Sequence, residues 1–574
     1  MVPERGPPPS PDRSGSSLEI GRRDLARALT AAVVGVCLGG IGLEAYRELS
    51  LGPVPSFTEQ ACGLPEEWLA RTRRGYFEAR SGQISLLPKT PAYMASGGDG
   101  WSHSGPWPYL QEVPLVFYGP GVVPALGEVE GEVTTADIAP TMAALLRGSL
   151  QTDDGRVLDE AARISARALS RRPLKLILTI VWDGGGWNTL EQWPEDWPNL
   201  ARAMQEGVSY TEATVGSSPS VTPAVHSTLG TGFYPWANGV TGVPVRDESG
   251  EVVDAFLEGE SSRFLQLPTL AERWDEQNDS RALIGMLGYE PWHLGMIGKG
   301  AERPGGDKDD ALWLNVETNE WITNPDHYTL PAAVTETEGL DEYLEELDAA
   351  DGAIDRSWKN NAILDSPDRI EETPAFIRYH SDALVNLVAK GGYGQDDVTD
   401  LLFTNFKQID RVGHYFNMAS DEVRDSLQET DRQLGEILDR LDAELGRGRY
   451  VVVVMADHGQ QPDAEAVDGF GIDPNEVERD LDEEFGAITV AVWPTEVFLD
   501  DDALRREDVT VPEVARWLGD YRVDDNNDGD DERPSGSFGP RDRLFDMAVP
   551  SALLPDLRCA PAGTKHRLGD APAG

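Results

Sequence analysis

Five acidic and imidazole side chains follow three strongly apolar runs of this 574-residue chain. Asp183 follows LKLILTIVW, Asp410 and His414 follow TDLLFTNFKQI, and Asp457 and His458 follow RYVVVVMA. Asp410 and His414 are separated by about one helical turn. Polar groups at the end of a valine run are costly to bury unless something binds them. Because carboxylate and imidazole together suit zinc or a similar divalent ion, the pattern indicates a metal site.

The hydroxyl of Thr222 is a further candidate group, in the stretch GSSPSVTPAVHSTLGTGFYP, residues 216–235. Thr222 precedes Pro223, which predicts a helix N-cap followed by proline in the first turn. A hydroxyl at that position faces unpaired backbone N–H groups and the positive end of the helix, where a phosphate group is readily bound. An ordinary threonine cap has the same pattern, so this motif indicates chemistry only together with the metal-binding candidates.

The apolar runs predict the sheet that would position these groups. Residues 174–185, 399–410 and 449–459 each have the composition of a buried parallel strand with polar groups at its C-terminal end. Ligands gather at that edge of an open α/β sheet. We therefore predict an α/β fold in which helices flank a central sheet on both faces. The polar segment at about 250–395 is predicted to form a cap over the site, and residues 419–445 an amphipathic helix.

The rest of the chain divides by composition. Residues 28–43 (ALTAAVVGVCLGGIGL) carry no charge and follow several arginines, which predicts a signal or membrane anchor over 28–45. The predicted parts are a disordered basic and polar lead at 1–27, a globular piece at 62–150, a linker at 151–172, the main portion at 173–560 and a tail at 561–574.

The charge balance limits the partners. Lys and Arg total 49 against 100 Asp and Glu, a net charge of −51. A field of this sign repels nucleic acid, so we expect no nucleic-acid-binding surface. It also repels anionic substrates, and a phosphate site would need local positive charge such as metal ions. Cys37, Cys62 and Cys559 are too few for a cysteine-based zinc site, and since Cys37 lies in the hydrophobic segment, the other two are left as a candidate pair.

Four motifs, taken in chain order, resemble the alkaline phosphatase superfamily, in particular its type I phosphodiesterase and nucleotide pyrophosphatase branch. They are IVWDGG, VTPAVHSTLGTGFYP, IDRVGH and ADHGQ. The family nucleophile lies nine residues before the threonine of TG-x-YP, and counting back from Thr231 gives Thr222. The resemblance spans most of residues 174–460.

One motif of that family is out of place. A further histidine is expected after Asp-His-Gly, in a Gly-x-His-Gly-like loop before a VP-strand, but only a tail histidine follows here. Residues 101–119 (WSHSGPWPYLQEVPLVFYG) resemble that loop and strand. We interpret the chain as circularly permuted, with 151–172 joining the old ends and His103 as the sixth ligand. A disulfide between Cys62 and Cys559 would then close the new break.

The resemblance also implies a mechanism. Thr222 would attack phosphorus in line, activated by one divalent ion, while a second ion would stabilise the leaving oxygen; water would then cleave the phosphothreonine. The protein would then be an exported hydrolase of phosphate esters. Its substrate would be a phosphodiester, a pyrophosphate or a monoester, either of a small molecule or of the cell envelope. Zinc is the expected metal, with one ion held by Asp410, His414 and His103 and the other by Asp183, Asp457 and His458.

Substrate contacts are less well defined by the motifs. Where the branch has an asparagine after YP, the spacing here gives Val243, and Asn238 is nearby but out of register. Lys299 and Lys308 are candidate substrate contacts, with solvated loop lysines as the alternative. His226, on the turn after Thr222, either supports a ligand or packs.

An acidic stretch at 524–532 partly matches a calcium loop. Asp524, Asn526, Asp528 and Gly529 agree with its start, but position twelve is Ser535 rather than glutamate. A solvated acidic loop is the alternative to a Ca²⁺ site.

Other functions are possible on the same fold. A sulfatase needs a Cys-x-Pro-x-Arg context, which VTPAV lacks, and a cytoplasmic phosphoglycerate mutase disagrees with the hydrophobic lead. An envelope phosphotransferase that passes the phospho-group to an alcohol stays open. A non-catalytic binding protein is disfavoured because Thr222 and all six ligand types are retained. We expect an extracytoplasmic protein, secreted or anchored through residues 28–43; its oligomeric state stays open.

Overall fold

A computed structural model describes residues 53–94, 103–163, 174–367, 369–464, 466–526 and 536–559. The predicted leader, the tail and most of the acidic stretch at 524–532 lie outside the described residues. None of the helices described combines the length and apolar character needed to cross a membrane. The described residues from Pro55 onwards belong to one compact unit.

The predicted apolar runs form long strands, and the runs before Asp183 and Asp457 are rich in the β-branched residues that favour extended backbone. All three strands predicted to carry site residues are present, as is the strand expected in VPLVFYG. The strands of the described chain, β1 to β20 in order, are Ile84–Pro88, Tyr93–Met94, Leu115–Tyr118, Gly127–Val129, Val133–Thr134, Leu176–Trp182, Val208–Tyr210, Ala213–Thr214, Pro244–Arg246, Val252–Asp254, Ile284–Leu287, Asp309–Asn315, Glu320–Ile322, Tyr328–Thr329, Asp400–Phe406, Tyr450–Met455, Gly471–Ile472, Thr489–Trp493, Glu496–Leu499 and Phe545–Pro550.

Several helices begin at a side chain that caps their first turn. The longest starts after Ser420, whose hydroxyl accepts from the Val423 backbone N–H, and it matches the predicted amphipathic helix. The α-helices of the described chain, α1 to α18 in order, are Phe57–Gly63, Glu66–Gly75, Pro108–Gln111, Ile138–Leu145, Asp159–Ala162, Trp187–Leu190, Pro198–Glu206, Thr222–Thr231, Pro235–Asn238, Leu270–Gln277, Ala332–Thr335, Leu340–Asp348, Pro374–Lys390, Gln408–Phe416, Asp421–Glu444, Pro474–Phe485, Asp501–Glu507 and Val511–Leu518.

A ten-stranded mixed sheet forms the centre of the molecule, in the order β13-β12-β11-β15-β6-β16-β3-β7-β4, with β14 paired to β12. Strands β12, β11, β15, β6 and β16 run parallel. On β6, Trp182 pairs with Phe406 of β15 and Val181 with Met455 of β16. This register brings the C-terminal ends of β6, β15 and β16 to one edge, together with the polar residues that follow them.

Apolar side chains cover both faces of this sheet. On β6, Ile177 and Val181 belong to one core cluster, while Leu178 and Ile180 belong to the other. Successive strand residues point to opposite faces, so the uninterrupted apolar run is the signature of a sheet buried on both sides. Helix α15 packs on the second cluster through residues such as Leu434. The predicted fold class is confirmed: a central sheet with helices on both faces.

A second, antiparallel sheet has the order β18-β19-β1-β20. Strand β1, from the start of the described chain, lies between two late strands, with Ile84 opposite Val497 and Ser85 opposite Val549. Close by, Cys62 and Cys559 form a disulfide, the pairing that the permuted interpretation implied. The early and late parts of the chain therefore form one layer.

The predicted boundaries of the cap and the linker need correction. Residues 250–395 do not form a separate cap, because they supply β11 and β12 of the central sheet. The run IGML in β11 is short, and Gly285 within it makes room for Tyr393, since a Cβ atom there would lie 2.2 Å from the tyrosine oxygen. Of the predicted linker 151–172, the described part packs into the core through Leu158 and Ala161.

Candidate active site and metal centre

The five side chains predicted to converge do so. Asp183 follows β6 directly, Asp457 and His458 follow β16 after one alanine, and Asp410 and His414 lie on α14, which begins two residues after β15. The two histidines differ in burial: His458 is fully buried and His414 is partly exposed. All three carboxylates are buried. The strand ends therefore place three acids and two imidazoles in one crevice.

The first cluster surrounds His458. Its Nε2 atom lies 3.3 Å from Asp183 Oδ1 and 3.7 Å from Asp457 Oδ1. Candidate ligand atoms of Asp183, Asp457 and His458 all lie within 4.8 Å of one another. This is the ligand set that the resemblance implied for one ion.

His103 joins the same crevice from the loop before α3. Its Nε2 atom lies 3.5 Å from Asp410 Oδ1, and its ring stacks on His458 with the centroids 3.6 Å apart. His414 places its Nε2 atom 3.4 Å from the same Asp410 oxygen. A second set of candidate ligand atoms that lie within 4.8 Å of one another belongs to His103, Asp410 and His458, so His458 borders both clusters.

A close backbone contact fixes the segment that carries His103. The backbone N–H of Gly459 donates to the Leu110 carbonyl at 3.0 Å. A Cβ atom on Gly459 would lie 2.1 Å from the Tyr109 carbonyl oxygen, so only glycine permits this approach. The glycine of the Asp-His-Gly motif therefore holds the two distant chain segments together.

The orientation of the imidazoles fits metal binding. Nδ1 of His458 lies 2.9 Å from the Gly459 carbonyl oxygen, and Nδ1 of His103 lies 3.0 Å from the Ser220 carbonyl oxygen. A carbonyl accepts, so each Nδ1 carries a proton, and each Nε2 is directed toward the carboxylates. The buried Nε2 of His458 has no hydrogen-bond partner among the described residues. Nitrogen and carboxylate oxygen donors of this kind suit zinc and related divalent ions.

Electrostatics favours ligand-ready protonation states for most of the cluster. Burial lowers the pKa of His103 well below its ordinary value, and His458 acts in the same direction. Burial raises the pKa of Asp410 and Asp457, but Lys407 and the neighbouring imidazoles lower it more, so both carboxylates stay ionised. Burial lowers the pKa of His458, whereas Asp457 and the other carboxylates raise it more, to about 9. A metal ion at its Nε2 would displace that proton.

Thr222 lies at the start of α8, beside the first cluster. Its hydroxyl donates to Asp183 Oδ2 at 3.4 Å. The predicted N-cap role is wrong by one position: Val221 is the cap residue and Thr222 is the first helical residue. Because no capping bond engages the hydroxyl, it is directed to the carboxylate.

Sequence reasoning missed a buried cation between the clusters. Lys407 Nζ lies 3.0 Å from Asp183 Oδ1, 2.7 Å from Asp410 Oδ2 and 3.3 Å from Thr222 Oγ1. Burial lowers the pKa of Lys407, but Asp183, Asp410 and Asp457 raise it more, so the amine is charged. The available signal was a lysine directly after the apolar strand β15 and three residues before Asp410.

The crevice opens into a cavity of about 210 Å³. Its apolar wall includes Val243, where the branch has an asparagine, together with Trp292 and Trp493. Arg411 also lines the cavity, and its guanidinium lies 3.7 Å from Glu372 Oε1. Trp493 belongs to β18 of the second sheet, so that sheet, rather than the predicted cap, supplies one wall.

The three predicted substrate contacts lie elsewhere. The Asn238 side chain bonds to the Phe233 carbonyl and the Val240 backbone N–H, and so stabilises a turn. Lys299 Nζ donates to the Leu265 carbonyl at 2.5 Å, and Lys308 Nζ donates to the Pro325 carbonyl. Each side chain is engaged by backbone groups away from the residues that line the cavity.

Two further predictions concern supporting residues. His226 contacts a ligand: its Nε2 lies 3.5 Å from Asp457 Oδ2, while its Nδ1 lies 3.1 Å from Nδ1 of His293. In the acidic stretch, the buried Asn526 donates to the Asp473 carbonyl and accepts from the Asp473 N–H. This amide therefore stabilises the start of α16, and residues 527–535 lie outside the described chain.

A buried carboxyl on the cavity wall leads to a pH prediction. Glu496 is 8% exposed, and burial raises its pKa from 4.5 to about 8. Between these pH values the unfolded chain ionises while the folded protein stays protonated, so stability is lost as pH rises. We expect the free energy of unfolding of wild type, relative to Glu496→Gln, to fall by about 3–5 kcal/mol from pH 4.5 to pH 9. Urea titrations at both pH values measure this difference; the exposed Glu483→Gln is the control, and an unchanged gap between wild type and Glu496→Gln would contradict the prediction.

The sheet, the two ligand clusters at its edge and the adjacent helix-borne hydroxyl define a protein of the alkaline phosphatase superfamily. The profile of the type I phosphodiesterase / nucleotide pyrophosphatase family matches residues 177–522. The chain therefore belongs to that family, as the motifs had indicated.

Individual relatives are distant. A protein named calcium-transporting ATPase from Myroides odoratus is 24% identical over 338 residues, which cover 50% of this chain and 60% of that protein. The alkaline phosphatase PafA of Elizabethkingia meningoseptica is 23% identical over 406 residues, covering 60% and 72%. The crystal structure of wild-type PafA aligns with a TM-score of 0.47 at 20% identity, over 60% of this chain and 76% of that one. The match thus spans only about three fifths of the first of these relatives.

Proposed function

We propose that this protein is an exported two-metal hydrolase of phosphate esters that uses Thr222 as its nucleophile. The reaction forms a bond between the Thr222 oxygen and phosphorus as the bond to the leaving alcohol breaks. Water then cleaves the phosphothreonine and releases phosphate or a phosphate ester. Family membership supports the ester chemistry, and the arrangement of this chain's own side chains supports the two finer points.

One observation carries the assignment of the nucleophile. The Thr222 hydroxyl lies 3.4 Å from a carboxylate of one ligand cluster and 3.3 Å from a lysine ammonium, at the positive end of a ten-residue helix. Asp183 orients the hydroxyl, and Lys407 offers positive charge to the oxygen when it loses its proton. A hydroxyl that served only to cap the helix would instead bond to backbone N–H groups.

Divalent ions held by the two clusters would supply the positive charge that an anionic substrate and the departing oxygen need. Asp183, Asp457 and His458 form one candidate ligand set, and Asp410 forms the other with His103, His414 and the shared His458. Nitrogen and carboxylate ligands favour zinc. In a chain of net charge −51, such a local reversal of sign allows a phosphate to approach.

The apolar cavity wall suggests the organic part of the substrate. Trp292 and Trp493 would pack against an aromatic or aliphatic leaving group, while Thr222, Lys407 and Arg411 face the phosphoryl group from the same cavity. The proposed substrate is therefore a phosphorylated small molecule with an apolar group.

Export is supported by two features. The hydrophobic segment 28–43 follows a cluster of arginines, as a signal or anchor does. The Cys62–Cys559 disulfide suits an oxidising compartment. The permuted chain order is supported by strand β1, which completes a sheet made otherwise of late strands, and by His103, which reaches the ligands from before the nucleophile.

The proposal is tested with purified protein dialysed against a chelator and then titrated with Zn²⁺. Elemental analysis should find close to two equivalents bound. Turnover of an aryl phosphate or a bis-aryl phosphate should fall at least about tenfold on depletion and return with the second equivalent. Turnover that survives complete metal removal would refute the two-metal assignment. No turnover of either ester by the reloaded protein would refute the hydrolase assignment.

A further inference from the structure

Lys407 has a position that neither family membership nor the ligand clusters explain. It lies between β15 and α14, is 6% exposed and borders the cavity. Its Nζ atom contacts one carboxylate from each cluster, Asp183 and Asp410, and also the Thr222 hydroxyl. A buried ammonium is costly unless it is paired, and here both partners are themselves candidate metal ligands. The contact with the Thr222 hydroxyl places this ammonium at the proposed point of attack.

The Asp410 carboxylate can serve the lysine and the imidazoles at the same time. Its Oδ1 atom faces His103 Nε2 at 3.5 Å and His414 Nε2 at 3.4 Å, while Oδ2 faces Lys407. The ammonium therefore uses the oxygen on the side away from the two histidines. At Asp410, this contact leaves the histidine-facing oxygen free for a cation, whereas at Asp183 the lysine and His458 face the same Oδ1 atom.

We propose that Lys407 binds a phosphoryl oxygen beside Thr222 and makes the site favour phosphate monoesters over diesters. This inference rests on the proposed function, because it takes Thr222 as the point of attack. A fixed unit charge attracts a ligand in proportion to the ligand's own charge. A monoester phosphoryl group carries two negative charges near neutral pH and a diester carries one. The contribution of Lys407, expressed as the logarithm of a rate or binding constant, is therefore about twice as large for the monoester.

The test compares wild type with Lys407→Met on an aryl phosphate and a bis-aryl phosphate, both metal-replete. We expect kcat/KM to fall by about 100-fold for the monoester and about 10-fold for the diester. Inorganic phosphate should also bind more weakly in calorimetry, by a larger factor than dimethyl phosphate, with the metal content unchanged. The matched control is Lys175→Met, since Lys175 is a buried lysine paired with Asp397 at 3.4 Å at the opposite end of β6. It should leave the ratio of the two esters as in wild type.

Other outcomes would contradict either the proposed role of Lys407 or the hydrolase proposal on which it rests. Equal losses on the two esters, or loss of bound metal, would show that Lys407 only supports the clusters, and the hydrolase proposal would stand. Inactivity of wild type on both esters would instead overturn the hydrolase proposal itself. If Lys407→Met does not fold, Lys407→Arg keeps the charge and should retain the monoester preference within about threefold. A folded arginine variant without that preference would overturn the inference.

Discussion

Replacement of Thr222 by alanine is expected to lower kcat for an aryl phosphate by about 10⁴-fold, because it removes the only atom proposed to attack phosphorus. Metal content should stay as in wild type, since the hydroxyl is not needed to hold either ligand cluster. Substrate binding should change much less than kcat. The measurement is steady-state turnover together with elemental analysis of the same preparation.

Two variants separate a nucleophile from a structural hydroxyl. Thr222→Ser keeps an oxygen at the start of α8 and should retain most of the turnover that alanine loses. Thr228→Ala removes another buried hydroxyl of the same helix, one that donates to the Ala224 carbonyl at 2.9 Å, and should stay within a few-fold of wild type. Full activity in Thr222→Ala would remove the hydroxyl from the mechanism, whatever the metal content.

Replacement of His103 by alanine is expected to reduce bound metal from two equivalents to about one and to lower kcat/KM by more than about 100-fold. His103 faces Asp410 at 3.5 Å and packs on His458, so its loss opens the second cluster while Asp183 and Asp457 remain. Loss of an outer-shell partner alone typically costs 10–100-fold, and loss of a ligand should exceed that. Zinc titration followed by calorimetry gives the number of sites directly.

The loop that carries His103 has its own control. The Ser220 hydroxyl donates to the His103 carbonyl at 2.8 Å. Ser220→Ala therefore removes a hydrogen bond to the loop that carries His103 but leaves its imidazole in place. It should keep two bound metal ions and lose less than about tenfold in activity. If His103→Ala binds two equivalents as tightly as wild type, the sixth ligand lies elsewhere and the permuted assignment loses its main support.

The second sheet contributes a cavity wall whose residues are distant in sequence from the candidate nucleophile and metal ligands. Strands β1, β18, β19 and β20 pack as one layer, and the turn between β18 and β19 contributes to the cavity wall. Because β1 lies in the middle of this layer, the early chain segment helps to hold that wall in place. The disulfide from Cys62 to Cys559 joins the same two parts of the chain. The early and late segments joined by the disulfide therefore both contribute to the layer that forms one cavity wall.

The sequence alone determined the sheet edge and most of its polar groups. Long apolar runs such as those of β6 and β16 have one stable placement, buried on both faces, and the polar residues that follow must then emerge at the edge. Asp183, Asp457 and His458 could be predicted because this signal is local. His103 has no local signal, since it is a histidine in an irregular loop, and only the family resemblance indicated it.

The tertiary structure alone decided which other groups line the candidate site. The sequence around Lys407 does not indicate its contacts with two carboxylates. One of these partners lies more than two hundred positions away in the chain and comes close only in the folded protein. Asn238, Lys299 and Lys308 lie near the right motifs in sequence, but backbone carbonyls engage them. Short strands such as β11 have too few residues for a recognisable periodicity. The segment at 250–395 was therefore predicted to be a cap, although it supplies strands of the central sheet. The burial of a strand can be predicted from the pattern of neighbouring residues in the sequence. The pairing of charged side chains depends on contacts between distant segments, which only the folded topology creates.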